Sequence, residues 1–390
     1  MKEQFIFFYK NTKIYKKIKK FILKLQKKDK LILSPSALFL FQHKGGIFNR
    51  YDLIVRFLAI ESLLKNDLQG MNLYKKMQSA RIDYLKEKGI KIKNEDLLEN
   101  KSDTLASLVE SFKTKGYDMK SSIIVDSDFQ LIDGSHRLAC ALYFKTGKIV
   151  VEKSNSNKIS YDLAWFEKYF EAAEIEVIKN KYLELLKTID LQNVLIDVLR
   201  SENQTFGRGD FYQSLDNVNI NGQRPTSERF KIYNLEKHLR SDFELLDIGS
   251  NCGFLTIKMS DYVRNATGIE IGESLVHVGR LAQAYLQKTN VEFVNANFND
   301  LKLDKKFDFI CSFAVHYWLG ADIEQYALKL KALLKPEGMV LFESQDIDRV
   351  DSDWDDKLKK FMSKGFTEIE SGFLKDDGKI DRRFSILKKI

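Results

Sequence analysis

A chain of 390 residues, 44% apolar and 12% aromatic, is too long for one ordinary domain and apolar enough for two cores. Its formal charge of +8 sits at one end: residues 1–30 hold eleven lysines against Glu3 and Asp29, a net of +9, so the other 360 residues sum to −1. That balance counts against a general nucleic-acid surface, and three scattered cysteines, Cys140, Cys252 and Cys311, offer neither metal-ligand spacing nor a disulfide framework and suggest a reducing compartment.

The basic end is patterned. In KIYKKIKKFILKLQKK, residues 13–28, Ile14, Ile18, Phe21, Ile22 and Leu25 recur at helical spacing with lysines on the opposite face. Such a helix lies on an anionic membrane surface, each lysine contributing roughly 1 kcal/mol near the lipid, or docks on its own domain with its lysines solvated. No run of about 18 apolar residues appears, so nothing reads as a membrane span. The expected location is cytoplasmic, with residues 13–28 as the link to the inner face of the membrane.

After the arm (1–30), residues 31–153 read as a small mixed α/β domain. YDLIVRFLAIESLL (51–64) has helical periodicity, and Asp52, Arg56 and Glu61 on it read as surface pairs rather than as charges added to a site. DTLASLVESFKTKG (103–116) opens at an Asp103 cap and closes at Gly116. SSIIVD (121–126) and FQLI (129–132) read as strands, and HRLACALYFKTG as a helix closed by Gly147.

Between the second strand and that helix, LIDGSHRLAC sets Asp133, Gly134, Ser135, His136 and Arg137 at one turn. A helix start offers unpaired amides and about half a positive charge. Gly134 permits close approach, His136 and Arg137 add donors, and arginine grips phosphate with two parallel bonds. Asp133 is the candidate to hold Mg²⁺ or to take a proton. The plainer reading has Asp133 capping the helix and pairing with Arg137. The order I-I-V-D-x-D-F-Q-L-I-D-G-S-H-R-L-A resembles the ParB/sulfiredoxin-like fold over roughly residues 100–152. The resemblance implies ATP or CTP with Mg²⁺ bound at Gly134, Ser135, His136 and Arg137. Related free-serine kinases carry a D-G-H-H-R-like turn, which implies phosphoryl transfer with Asp133 as a catalytic group. Ser135 stands where sulfiredoxins have a reactive cysteine, which argues against their redox chemistry.

Residues 154–204 are charged and helical and read as a connector. From Phe243, apolar strands alternate with amphipathic helices: FELLDIG, NATGIEI, VEFVNAN, FDFICSF and GMVLFES. Alternation of this kind implies a parallel, doubly wound sheet. The last segment, FTEIESGFLKDDGKIDRRFSILKK, reads as an antiparallel hairpin at the sheet edge, turning near Asp377 and Gly378.

The first of these strands runs into LLDIGSNCGF (245–254). Glycines there allow positive φ and close approach to a ligand. Seventeen residues beyond Gly253, Glu270 ends the next strand, an acid placed to accept from both hydroxyls of a ribose. The spacing G-x-x-x-G preceded by Asp247 resembles motif I of class I S-adenosylmethionine-dependent methyltransferases, and the order of motifs over residues 205–390 agrees. The resemblance implies a Rossmann-like seven-stranded sheet with an antiparallel last strand. It puts Asp247, Gly249, Ser250, Asn251 and Gly253 along the methionine part of S-adenosylmethionine, Glu270 on the ribose, and Asn297 and Phe298 about the adenine. Many members have Asp where Asn297 stands, though Asn still offers an oxygen.

FYQSLDNVNINGQRPTSERF (211–230) resembles a lead-in of bacterial methyltransferases with YQ and GQR before motif I. It implies that Tyr212, Gln213, Arg224 and Arg229 fold over the cofactor, an arginine meeting its carboxylate. His316, just after strand four, is the candidate base for a hydroxyl acceptor, though aromatic residues and histidines also stand there for packing. No N-P-P-Y-like signature follows that strand, which argues against adenine-N6 DNA methylation.

Together these readings give a methyltransferase behind a nucleotide-binding, ParB-like front domain, with a surface-glycan or other sugar as acceptor. The competing readings are a DNA-associated ParB-like regulator and a small-molecule methyltransferase with an inert front domain.

Overall fold

In the computed structural model the described residues are 30–90, 98–156, 161–201, 211–375 and 378–390. The amphipathic pattern at 13–28 and Asp377 of the expected hairpin turn lie outside them. The chain forms two compact units, residues 1–35 with 52–160, and residues 36–51 with 161–390.

The first unit holds a four-stranded sheet in the order Lys30–Leu33, Ile149–Lys153, Ile123–Val125, Leu131–Asp133. Helices Tyr51–Lys65, Gln69–Glu87, Leu98–Lys115 and Ser135–Tyr143 accompany it. The third of these starts five residues before the expected Asp103 cap. The fourth ends at Tyr143, and Lys145 takes the left-handed conformation expected of Gly147, with φ 51°. Asp52 and Arg56 are not a surface pair: they are 0% and 4% exposed and joined at 2.8 Å.

In the second unit the main sheet comprises β1 (Glu244–Ile248), β2 (Asn265–Glu270), β3 (Val291–Asn295), β4 (Phe307–Phe313), β5 (Leu334–Glu343), β6 (Phe366–Leu374) and β7 (Arg382–Lys389). Their order is β3-β2-β1-β4-β5-β7-β6. The first five run parallel, and β7 is antiparallel to both β5 and β6. This is the Rossmann-like methyltransferase sheet expected of the sequence. Helices cover both faces, so the strands are apolar on both: Leu246, Ile248, Ile310, Val340 and Phe342 enter one core, and Leu245, Phe309, Cys311, Leu341 and Ile386 the other. Strand order reverses between β1 and β4, and ligands bind outside the carboxyl ends of the strands at such a point.

Two segments belong to this unit that the sequence boundaries assigned elsewhere. Helices Leu163–Tyr169, Ala172–Lys187 and Leu191–Ser201 are part of it, and the last packs on Glu273–Tyr285. So is a hairpin from the front of the chain, His43–Lys44 with Ile47–Phe48. Phe48 stacks on Tyr182 at 4.6 Å, and His43 Nε2 meets the Tyr182 hydroxyl at 2.9 Å. Gly46 has φ 76°, and a Cβ there would lie 2.2 Å from the Lys288 carbonyl oxygen. Aromatic packing, which has no local period to betray it, draws residues 36–51 to this unit.

Candidate functional site

The bend after β1 is built by remote partners. The Gly249 and Ser250 amides both donate to the Ile269 carbonyl on β2, at 2.9 and 3.0 Å. Gly249, Asn251 and Gly253 have φ of 70°, 55° and 71°. At Gly253 a Cβ would meet the Phe293 ring at 2.2 Å, so the turn needs glycine for space as well as for φ.

Gln213, from the lead-in strand Phe211–Gln213, fastens this bend. Its Oε1 accepts from the Phe254 and Leu255 amides at 2.9 and 3.1 Å, and its Nε2 donates to the Ser250 carbonyl at 3.3 Å. It therefore occupies the donors at the start of helix Phe254–Met259. The Y-Q pair carried that signal in the sequence, but only the fold shows which amides it satisfies.

Glu270, at the carboxyl end of β2, faces the bend. Its Oε2 accepts from the Asn251 amide at 3.0 Å, and its Oε1 from the Gly272 amide at 2.9 Å. Each oxygen keeps acceptor capacity beyond its one backbone donor. Asp247 lies beneath the bend, 1% exposed. Its Oδ2 accepts from the Thr256 hydroxyl at 2.5 Å, while its Oδ1 is buried with no hydrogen-bond partner among the described residues. Burial lifts its pKa to about 6. An orphaned buried acceptor under the bend and a carboxylate with spare lone pairs beside it suit a ligand rich in N–H and O–H donors. S-adenosylmethionine, with its ribose hydroxyls and its ammonium group, is a ligand of that kind.

Asn297 and Phe298 follow β3. The Asn297 side-chain oxygen accepts from the Asn299 amide at 3.0 Å, closing its own turn. Phe298 is 3% exposed and belongs to the core, with the Lys329 ammonium 4.2 Å from its ring centre, which leaves the flanking of an adenine to other side chains. His316 starts the short helix after β4. Its ring packs on Tyr326 and Phe342, at 5.1 and 6.1 Å, and its Nε2 is buried without a partner among the described residues. Burial, then Lys357, lowers its pKa, so the ring is neutral at neutral pH. Next to it, Tyr317 and Trp318 are exposed.

Sequence reasoning missed the acid at the end of β5. Glu343 is fully buried, and three guanidiniums converge on it: Arg224 at 3.1 Å, Arg382 at 3.4 Å and Arg229 at 3.5 Å. The Tyr233 hydroxyl donates to its Oε2 at 2.7 Å. Burial alone would raise the Glu343 pKa; the three arginines more than offset it and bring it down to about 2. Thus the carboxylate that Arg224 and Arg229 meet is the chain's own. Tyr212 joins from the other side, its hydroxyl oxygen accepting from Arg224 at 3.1 Å and from Arg382 at 3.2 Å.

In the first unit, Gly134 enters helix Ser135–Tyr143 with φ 96°. Arg137 donates to Asp133 Oδ2 at 2.8 Å. His136 does not stand as a free donor: its Nε2 meets the Tyr74 hydroxyl at 2.8 Å, and Tyr74 donates to the Lys101 carbonyl. Desolvation, then Arg56, Lys101 and Arg81, lower the His136 pKa, so the ring carries no charge.

Residues 246–342 match the family model described as a methyltransferase domain. With the strand order above, the second unit carries a class I S-adenosylmethionine-dependent methyltransferase domain. A malonyl-[acyl-carrier protein] O-methyltransferase of Acetivibrio thermocellus is 28% identical over 112 residues, which are 28% of this chain and 38% of that protein. The chain thus spans well under half the length of this curated relative. Among solved structures, the N-methyltransferase NodS from Bradyrhizobium japonicum WM9 with S-adenosyl-L-homocysteine is 17% identical, with TM-score 0.35, over 42% of this chain and 86% of that one. A methyltransferase from Aquifex aeolicus is 18% identical, with TM-score 0.35, over 42% of this chain and 93% of its own.

Proposed function

We propose that the protein transfers the methyl group of S-adenosylmethionine to a hydroxyl of a sugar or glycan acceptor, at the carboxyl rim of the main sheet. The observation that carries the cofactor half is Glu270, an acid at the end of β2 whose carboxylate faces the glycine bend. Methyl transfer needs an in-line approach of the nucleophile to the sulfonium methyl, so positioning supplies much of the acceleration. The bend, fastened by Gln213 and Glu270, gives that positioning a rigid base. Bound there, the cofactor supplies an activated methyl group.

A carboxylate acceptor is the second reading. It draws on the relative named as a malonyl-[acyl-carrier protein] O-methyltransferase. Calorimetric titration of the whole chain with S-adenosylmethionine and S-adenosylhomocysteine tests the cofactor. Radiolabelled methyl transfer to an oligosaccharide panel and to malonyl-acyl-carrier protein then separates the acceptors. No heat with either nucleoside at millimolar concentration sinks the whole proposal.

The turn at Gly134 is proposed as a site for ATP or CTP with Mg²⁺. Its left-handed glycine before a helix and its adjacent Arg137 support that reading. The same calorimetry, with Arg137→Ala as control, decides it. The lysine arm is proposed to seek an anionic membrane, and vesicles with and without anionic lipid are the test. A DNA-bound role instead predicts steeply salt-dependent DNA binding that disappears on deletion of residues 1–30.

A further inference from the structure

We propose that Tyr212 is the general base of the methyl transfer, a phenolate held between Arg224 and Arg382 that takes the proton of a hydroxyl acceptor. The proposal rests on the methyl-transfer reading and narrows it to an acceptor that has a proton to lose.

The geometry begins with the hydrogen-bond count. A phenol oxygen has one proton to give and two lone pairs to accept with. Both guanidiniums donate to Tyr212, at 3.1 and 3.2 Å. Guanidinium groups cannot accept, so neither can receive the phenol proton. Among the described residues none accepts that proton. The bonds that exist therefore favour the oxygen without its proton, and charge-assisted bonds of this kind are the strong ones.

The charges around the oxygen act in the same direction. Arg224, Arg382 and Arg229 are all at 4% exposure or less, and only Glu343 among the facing groups opposes them. Desolvation raises the Tyr212 pKa, and the three arginines outweigh it, leaving the phenol more acidic than an ordinary tyrosine. Its place also fits. Both guanidiniums that hold it also bind Oε1 of Glu343, the last residue of β5, on the carboxyl rim where the glycine bend lies. Gln213, the next residue, is bonded to that bend. Tyr212 is only partly buried, unlike Phe211 and Gln213 on either side of it. His316, the base nominated by sequence, has its Nε2 buried against aromatic rings.

The step balances without another reactant. The acceptor oxygen forms its bond to the methyl carbon as the carbon–sulfur bond breaks. The electron pair of that bond stays on sulfur, which becomes a neutral thioether, and the acceptor proton passes to the phenolate. A carboxylate acceptor needs no such group.

Ultraviolet difference titration of the full chain, wild type against Tyr212→Phe, reads the ionisation directly. One tyrosinate is expected to form below the ordinary tyrosine range and to be missing in the variant. A difference that titrates with ordinary tyrosines overturns the proposal. Tyr212→Phe is expected to bind S-adenosylhomocysteine within about twofold of wild type. Its kcat on an oligosaccharide hydroxyl falls by roughly 10²–10⁴-fold, KM stays within about threefold, and the rising limb of the pH–rate profile disappears. An unchanged kcat or pH limb overturns the assignment, as does a wild-type chain that methylates malonyl-acyl-carrier protein and no hydroxyl. A chain that binds no S-adenosylhomocysteine fails the methyl-transfer reading itself, and with it the base, whatever the tyrosine titration gives.

Discussion

Two strand-to-helix turns in this molecule look alike on paper. Asp133-Gly134 and the Asp247 bend each put an acid and a left-handed glycine ahead of a helix. Their bonding differs. At the first, Asp133 is paired with Arg137 from its own helix, and His136 is bonded to Tyr74. At the second, the fixing groups hold the backbone amides of the turn itself: Gln213 from the lead-in, Glu270 from the next strand, and the Ile269 carbonyl. One turn is tied by bonds between side chains, Asp133 to Arg137 and His136 to Tyr74. The other is braced from outside and keeps an orphan acceptor, Asp247 Oδ1, beneath it. Resemblance of motif is therefore a poorer guide to a site than which groups of the turn its partners hold.

The sharpest break of this comparison is at the arginine cluster that ends β5 in the second unit. Glu343→Ala removes the carboxylate from three buried arginines and should cost about 3–5 kcal/mol in denaturant unfolding. Asp133→Ala, which loses a half-exposed pair, should cost less than about 1 kcal/mol. Equal losses would mean that the two regions are not different in kind.

Next is the pH dependence of the orphan acid. Asp247 has its pKa raised from 3.8 to about 6, so the folded state binds the proton more tightly than the unfolded one. Its contribution is fully present below pH 3.8 and is lost as pH rises through about 6. Glu343 has the opposite sign: its pKa falls from 4.5 to about 2, so its contribution is present above 4.5 and lost as pH falls through 2. Asp247→Asn should accordingly gain about 2 kcal/mol relative to wild type between about pH 4 and 7, from the roughly 1.36 kcal/mol that one pKa unit is worth. Unfolding curves at about pH 4 and 7 check it, and parallel curves for the two proteins refute it.

The two glycines give a smaller contrast. Gly253→Ala meets strain at φ 71° and the Phe293 ring at 2.2 Å, and should lose about 2–3 kcal/mol. Gly134→Ala has strain at φ 96° but its nearest contacts are side-chain atoms at 3.2 Å, so about 1–2 kcal/mol is expected. Thermal melts of both rank them. The mildest effect is Glu270→Gln, which keeps an acceptor but loses the charge. It should weaken S-adenosylhomocysteine binding about tenfold, near 1.4 kcal/mol, which calorimetry reads. It should also lower the melting temperature slightly, because its amide nitrogen cannot accept, so the side chain cannot serve both the Asn251 and Gly272 amides as the carboxylate does.

The main sheet was legible because its strands are apolar on two faces and its turns carry glycine, both local signals. Glu270 was legible by its place after a strand. The arginine cluster was not: Arg224, Arg229, Glu343 and Arg382 come from distant segments, and no period links them. Nor was the docking of residues 36–51 on the second unit, which rests on ring packing around Tyr182. Phe298 misled because an aromatic residue after β3 looks the same in sequence whether it meets a ligand or the core.

That hairpin has a consequence for how the protein is made. It leaves the ribosome well before its partner, for Gly46 closes against Lys288, 242 residues later. At common translation speeds the delay is on the order of tens of seconds. During it the larger part of the first unit, residues 52–160, is synthesised as an insert. Its rings meet Tyr182 only after that insert has been made, so the second unit is completed around the first in chain order.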